Sequence, residues 1–178
     1  EHRLKAWVHS APLAIPENGG KLQLDVDAGV ASVLGGKGSA GTLAATVALP
    51  SLYSVAVTSV SASIAENDRY EPEQVLVVQF NQAMRDADVA MAVEARLLPE
   101  VDPRLPKAQQ KPRRWSAGDV DEAVLAQSQR LALDPVPTER EFVDLHSFRY
   151  KAAPGRQLYV RVEKGLRSFG GFLLGQPR

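Results

Sequence analysis

Residues 21–36 read KLQLDVDAGVASVLGG, and residues 157–171 read QLYVRVEKGLRSFGG. Each begins with an alternating apolar and polar run, the pattern of a strand with one buried face. Each then reaches a Gly, an apolar residue, a Ser two positions further on, and closes on Gly-Gly. Gly29 and Gly165 hold the same place in the two copies, a domain's length apart. A repeat at that spacing predicts an array of similar modules. The chain is therefore expected to begin inside one module and to end at the close of the next. Arrays of β modules scaffold and bind far more often than they catalyse.

Composition narrows the classes. The chain has 178 residues, with 21 basic and 21 acidic side chains and a formal net charge of +0. A nucleic-acid binder usually shows a basic excess, and none is present. The 12 Pro and 13 Gly fall between short apolar runs, as in turn-rich β structure. With no Cys, the chain holds no disulfide, no thiolate metal site and no thiol nucleophile; this leaves its compartment open. No apolar run approaches the roughly 20 residues that span a bilayer. The sequence opens on Glu1 without a signal-like segment, which predicts a trimmed or internal piece.

Strand signals run through the chain: residues 3–9, Leu22–Val26, Thr42–Leu49, Leu52–Ala65, Val75–Phe80, Leu131–Leu133, Phe142–Tyr150 and Gln157–Val162. Two stretches change period. Val89, Val93 and Leu97 recur four apart behind Asp86 and Asp88, which predicts a short helix over 86–98. Ser116 and Asp119 have capping-box-like spacing, and Val120 and Val124 lie one turn apart, which predicts a second helix over 116–129. Residues 99–114 carry four Pro and late basic charge and read as an exposed loop. The expected core contains Val55, Val57, Val75, Val77, Phe80, Leu97, Leu131, Leu133, Phe148, Leu158, Val160 and Val162. Many short strands with turns between them close most naturally as a Greek-key sandwich.

No motif points to chemistry. Gly36-Lys37-Gly38-Ser39-Ala40-Gly41 matches GxGxxG, but TLAATVALP follows, and a dinucleotide site needs a helix N-terminus there. The segment reads as a hairpin turn. A P-loop fails because Gly38 stands where Mg²⁺ requires Ser or Thr. His2, His9 and His146 share no ligand spacing. Asp25 and Asp27 point to one strand face with too few further oxygens for Ca²⁺. No Ser sits in a GxSxG elbow. Lys107, Lys111, Arg113 and Arg114 beside Trp115 form the one basic and aromatic cluster, suited to an anionic partner or to tryptic cleavage, with a solvated loop as the plain alternative. Catalytic, cofactor-binding and metal residues are all expected to be absent.

Three groups of residues carry a resemblance. Pro72–Met84, PEQVLVVQFNQAM, looks like the valine-rich strand of bacterial Ig-like modules, and Gly155–Leu166, GRQLYVRVEKGL, looks like their closing strand. With Ala95–Pro99, Gln129–Leu133, His146–Phe148 and the ending SFGGFLLG at Ser168–Gly175, the whole chain resembles the N-terminal part of large bacterial alpha-2-macroglobulin-like proteins. The subgroup it resembles includes many members without the reactive thioester. The resemblance implies a non-catalytic, macroglobulin-type, fibronectin-III-like antiparallel β-sandwich with one or two short helices in its connections. It implies a scaffold within a protease inhibitor or trap used in bacterial defence, periplasmic and associated with the inner membrane. Its partners would be other domains of the same chain, target proteases engaged by the full-length protein, and periplasmic proteins; nucleic acid and cofactors are not expected. Residues 51–178 would form the sandwich, and residues 1–50 either the closing strands of a preceding module or extra docked strands. The alternative is an Ig-like spacer or ligand-binding module of an adhesin or secreted enzyme.

Overall fold

The structure is a computed structural model that describes Trp7 and residues 9–178. The strand expected over 3–9, and His2, lie outside the described residues. Contacts divide the chain into two compact units, Glu1–Ser54 and Val55–Arg178.

The first unit is built on a two-stranded antiparallel ribbon, β1 (Gly20–Val26) and β2 (Leu43–Leu49). Leu22 faces Val47, Leu24 faces Ala45 and Val26 faces Leu43, so one face of the ribbon is wholly apolar.

The second unit is mainly β and holds two antiparallel sheets. One contains β3 (Val57–Glu66), β4 (Pro72–Arg85), β8 (Phe142–Tyr150) and β7 (Asp134–Pro135), in that order. The other has β5 (Val93–Leu97) between β6 (Gln129–Arg130) and β9 (Leu158–Val162). Residues 129–135 leave one sheet and join the other, and Leu131 is buried between them. In the main core cluster, Leu76, Val78 and Phe80 of β4 and Phe148 of β8 meet Val93, Ala95 and Leu97 of β5 and Val162 of β9. This is an Ig-like sandwich, with two short helices in its connections.

Two expectations about the core need correction. Val75 and Val77 are only half-buried; their neighbours Leu76 and Val78 point inward with Phe80. The run VLVV is apolar on both faces, so its alternation carries no parity signal. Val57, Leu133, Leu158 and Val160 pack against the cluster while remaining half-buried.

Both predicted helices are shorter than their periodicity suggests. The first, α1 (Asp86–Ala92), buries Val89 and then gives way to β5. Val93, Ala95 and Leu97 also satisfy a period of two, and pairing with β9 satisfies the backbone while burying all three. Over 116–129, the capping box at Ser116 and Asp119 forms but closes only a single 3-10 turn, Ala117–Asp119. Asp121 then caps α2 (Glu122–Ala126) by accepting a 3.0 Å bond from the Val124 N–H.

Candidate functional site

The 99–114 loop holds the densest polar network of the second unit. Its tip is exposed, but Asp102 and Trp115 are 4% and 7% exposed, so it is not the freely solvated loop that its composition suggests. Trp115 is held at three points. Its indole N–H donates to the Pro99 carbonyl at 2.7 Å, its backbone N–H donates to Gln157 Oε1 at 2.6 Å, and Gln157 Nε2 donates back to its carbonyl at 3.0 Å. The ring packs with Leu98 and Val124, and Val120 and Tyr159 close the edge of this small second core. Tyr159 points opposite to Leu158 and Val160 along β9, so the loop covers the outer face of the three-stranded sheet.

Two guanidinium groups lie against the same indole, Arg113 at 5.0 Å and Arg104 at 5.8 Å from the ring centroid. Asp102 joins them. It accepts from Arg104 at both oxygens, at 2.8 and 2.7 Å, and from Arg113 at 2.8 Å. Arg104 continues to Asp121 at 2.8 Å, and Arg113 to Asp119 at 3.0 Å. The Arg104 hydrogen bonds are the main reason the Asp102 carboxyl is held down to about 2. The same bonds raise Arg104 further above its ordinary value. Beside the hub, a groove of about 600 Å³ is lined by Glu100, Arg113, Arg114, Trp115 and Arg156, among others. Arg156 donates to the Leu98 carbonyl and lies 3.5 Å from Glu100.

Of the four basic residues singled out in the sequence, only Arg113 enters the hub. Lys107 sits in a separate 3-10 turn, Lys107–Gln109, and Lys111 and Arg114 are exposed. Arg104 and Asp102, which complete the network, carry a weak sequence signal: Asp-x-Arg ahead of a lone Trp in a Pro-rich loop.

The remaining candidates are structural. Residues 36–41 lie in the connection between β1 and β2, with a strand behind them. Gln23 Nε2 donates to both oxygens of Asp25 at 2.9 Å. His9 is exposed. His146 is wholly buried; its Nδ1 lies 2.8 Å from Asp86 Oδ1, its Nε2 lies 3.1 Å from the Val143 carbonyl, and its ring meets Phe80 edge-on at 5.7 Å. Both ring nitrogens face acceptor oxygens, which pins β8 to the start of α1. Among the described residues, no three of His, Cys, Asp and Glu gather as a metal ion would require. Nor, among the described residues, is any helix long and apolar enough to cross a membrane.

A two-sheet antiparallel sandwich whose densest polar network braces a surface loop defines the second unit as an Ig-like β module. Its relatives give that module a family. The chain is 31% identical over 175 residues to the alpha-2-macroglobulin homolog of Yersinia pestis, a match covering 97% of this chain and 9% of that protein. It is 25% identical over 173 residues to the alpha-2-macroglobulin of Pasteurella multocida, covering 97% of this chain and 9% of the relative. The alpha-2-macroglobulin of Rickettsia conorii matches 72% of the chain at 26% identity, over 7% of its own length. The chain is an alpha-2-macroglobulin-like bacterial domain region, and it spans about 9% of the length of the first two of these relatives. No family model matches it, and no solved structure does.

Proposed function

We propose that this chain is a non-catalytic scaffold segment of a large bacterial alpha-2-macroglobulin-like protease inhibitor, working in the periplasm at the inner membrane. The observation that carries the reading is the similarity over 97% of the chain to a relative named an alpha-2-macroglobulin homolog. The internal architecture is in keeping with it. Buried polar groups in the second unit serve to brace the loop and strands, and the chain has no Cys with which to form a thioester. Any tethering chemistry would have to come from elsewhere in the larger protein. In this reading residues 51–178 are one sandwich and residues 1–50 close a preceding module, in keeping with the separate contacts of the two units. Its partners are neighbouring domains of the same polypeptide, together with target proteases and periplasmic proteins reached through the full-length protein. The balance of 21 basic and 21 acidic side chains favours no nucleic acid.

The test uses the full-length protein. A protease mixed with it is expected to lose activity on large protein substrates and to keep it on small peptides. Equal activity on large substrates with and without the protein would end the inhibitor reading. Fractionation of the source cells with an antibody to this segment is expected to place the protein with the periplasm or inner membrane; recovery in the cytosol would remove the location.

A further inference from the structure

We propose that the edge of β9 that carries no strand among the described residues receives one more, antiparallel to it and starting at Arg178, and that the occupant is the stretch of the same polypeptide that follows Arg178 in the longer protein. The two units supply the argument, because the first shows completed what the second shows begun.

In the first unit, β1 ends at Val26 and the chain passes Gly29. There the Gly29 N–H donates to the Ser39 carbonyl at 2.9 Å, and the Ser39 N–H donates to the Val30 carbonyl at 2.9 Å. The chain then returns as β2, whose first residue, Leu43, pairs with Val26. In the second unit, β9 ends at Val162 and the chain passes Gly165. The Gly165 N–H donates to the Leu174 carbonyl at 2.8 Å, and the Leu174 N–H donates to the Leu166 carbonyl at 2.9 Å. The chain then returns to Val162 through Arg178. The Val162 N–H donates to the Arg178 carbonyl at 2.6 Å, and the Arg178 N–H to the Val162 carbonyl at 3.0 Å. Arg178 thus holds the place that Leu43 holds at the start of β2.

The rest of the edge is ready for pairing. Glu163 donates to Ala92 and Leu98 donates to Gln157, so the odd-numbered positions of this stretch face β5. By alternation, the backbone groups of Leu158 and Val160 point away from it. Both residues line a groove of about 430 Å³ together with Val60, Trp115 and Arg178, among others. Val60 shares the core-facing side of its sheet with Val78, its partner, yet is 44% exposed. A strand laid on β9 would satisfy the edge, and its alternate apolar side chains would cover Val60, Leu158 and Val160, as Ala45 and Val47 face Leu24 and Leu22.

The inference rests on reading the chain as part of a longer protein, in keeping with its 9% share of its relatives. Amide hydrogen exchange tests it on three chains: the 178-residue chain, the natural chain carrying about ten residues past Arg178, and a chain with a copy of Ala44–Leu49, AATVAL, placed after Arg178. In both extended chains the Leu158 and Val160 amides are expected to slow roughly tenfold or more. If the copied segment slows them and the natural continuation does not, the assigned occupant is wrong. If neither slows them, or if the natural protein stops at Arg178, the proposal falls. Protected amides in a protein that fails to inhibit proteases would leave the strand standing and remove the proposed function alone.

Discussion

Gly29 and Gly165 adopt the same left-handed backbone, at φ +94° and +92°, each three residues past the end of a strand, and each donates its N–H across a return of the chain, to the Ser39 and Leu174 carbonyls respectively. The repeat in the sequence is thus a repeat of conformation. A side chain at either site meets open space, so its cost is confined to the backbone.

Gly165→Ala is accordingly expected to destabilise the second unit by about 1–2 kcal/mol, and Gly29→Ala to do the same to the first. Urea unfolding of each variant checks this. Gly38→Ala should cost more than an open site without a left-handed backbone, because its added Cβ would lie 2.8 Å from the Gly29 backbone. Unchanged stability in Gly165→Ala would deny the turn its assigned role.

Core parity makes a sharp pair of variants. Phe80→Ala, at 1% exposure, should cost about 3–5 kcal/mol. Val77→Ala, one residue out of phase with the buried row, should cost less than about 1 kcal/mol. The difference between their urea midpoints reads out which face of β4 is inside.

Trp115 joins the loop to the sheet, so Trp115→Ala should cost about 3–5 kcal/mol locally and free residues 99–114. Limited trypsin digestion followed by mass spectrometry is expected to show faster cleavage after Lys107 and Arg114 in the variant. The strands should stay intact over the same digestion. Equal cleavage rates would mean that the indole does not brace the loop.

The acid limb of stability should carry the signature of the hub. Asp102 is held down to about 2, first by Arg104; Asp119 is lowered first by the Ser116 hydroxyl, and Asp121 first by the Val124 N–H. Unfolding returns all three to ordinary carboxylate values near 4. The unfolded chain then binds protons that the folded one refuses, so this contribution is complete above about pH 4 and drains away as the pH falls towards 2. Asp102→Asn should be less stable at neutral pH yet lose less between pH 4 and pH 2 than the parent. Thermal unfolding by circular dichroism at stepped pH measures both slopes.

His146 offers a further check away from the surface. His146→Leu removes the partner of Asp86 and leaves the Val143 carbonyl without its ring contact. Losing a hydrogen bond to a half-buried acceptor typically costs about 1 kcal/mol, visible as a lowered urea midpoint.

Much of the sandwich was legible before any coordinates. Period-two alternation marked Leu22–Val26 and Leu158–Val162, because successive side chains on a strand point to opposite faces whatever lies opposite. The two glycines were legible because a left-handed turn selects Gly locally. What escaped was non-local. Whether Val75 or Leu76 faces inward depends on which side of β4 the second sheet covers. Val93 could continue a helix or begin a strand, and pairing with Val162 on β9 decided it. The hub escaped for the same reason: Arg113 meets Asp102, and Arg104 meets Asp121, only once the loop has folded over Trp115, and His146 finds Asp86 across sixty residues of chain. Sequence alone determined the features set by neighbours along the backbone: strand period, turn chemistry and family likeness. Parity, helix length and the polar network were decided by tertiary structure, because burial and pairing energies outweigh local preference wherever the two conflict.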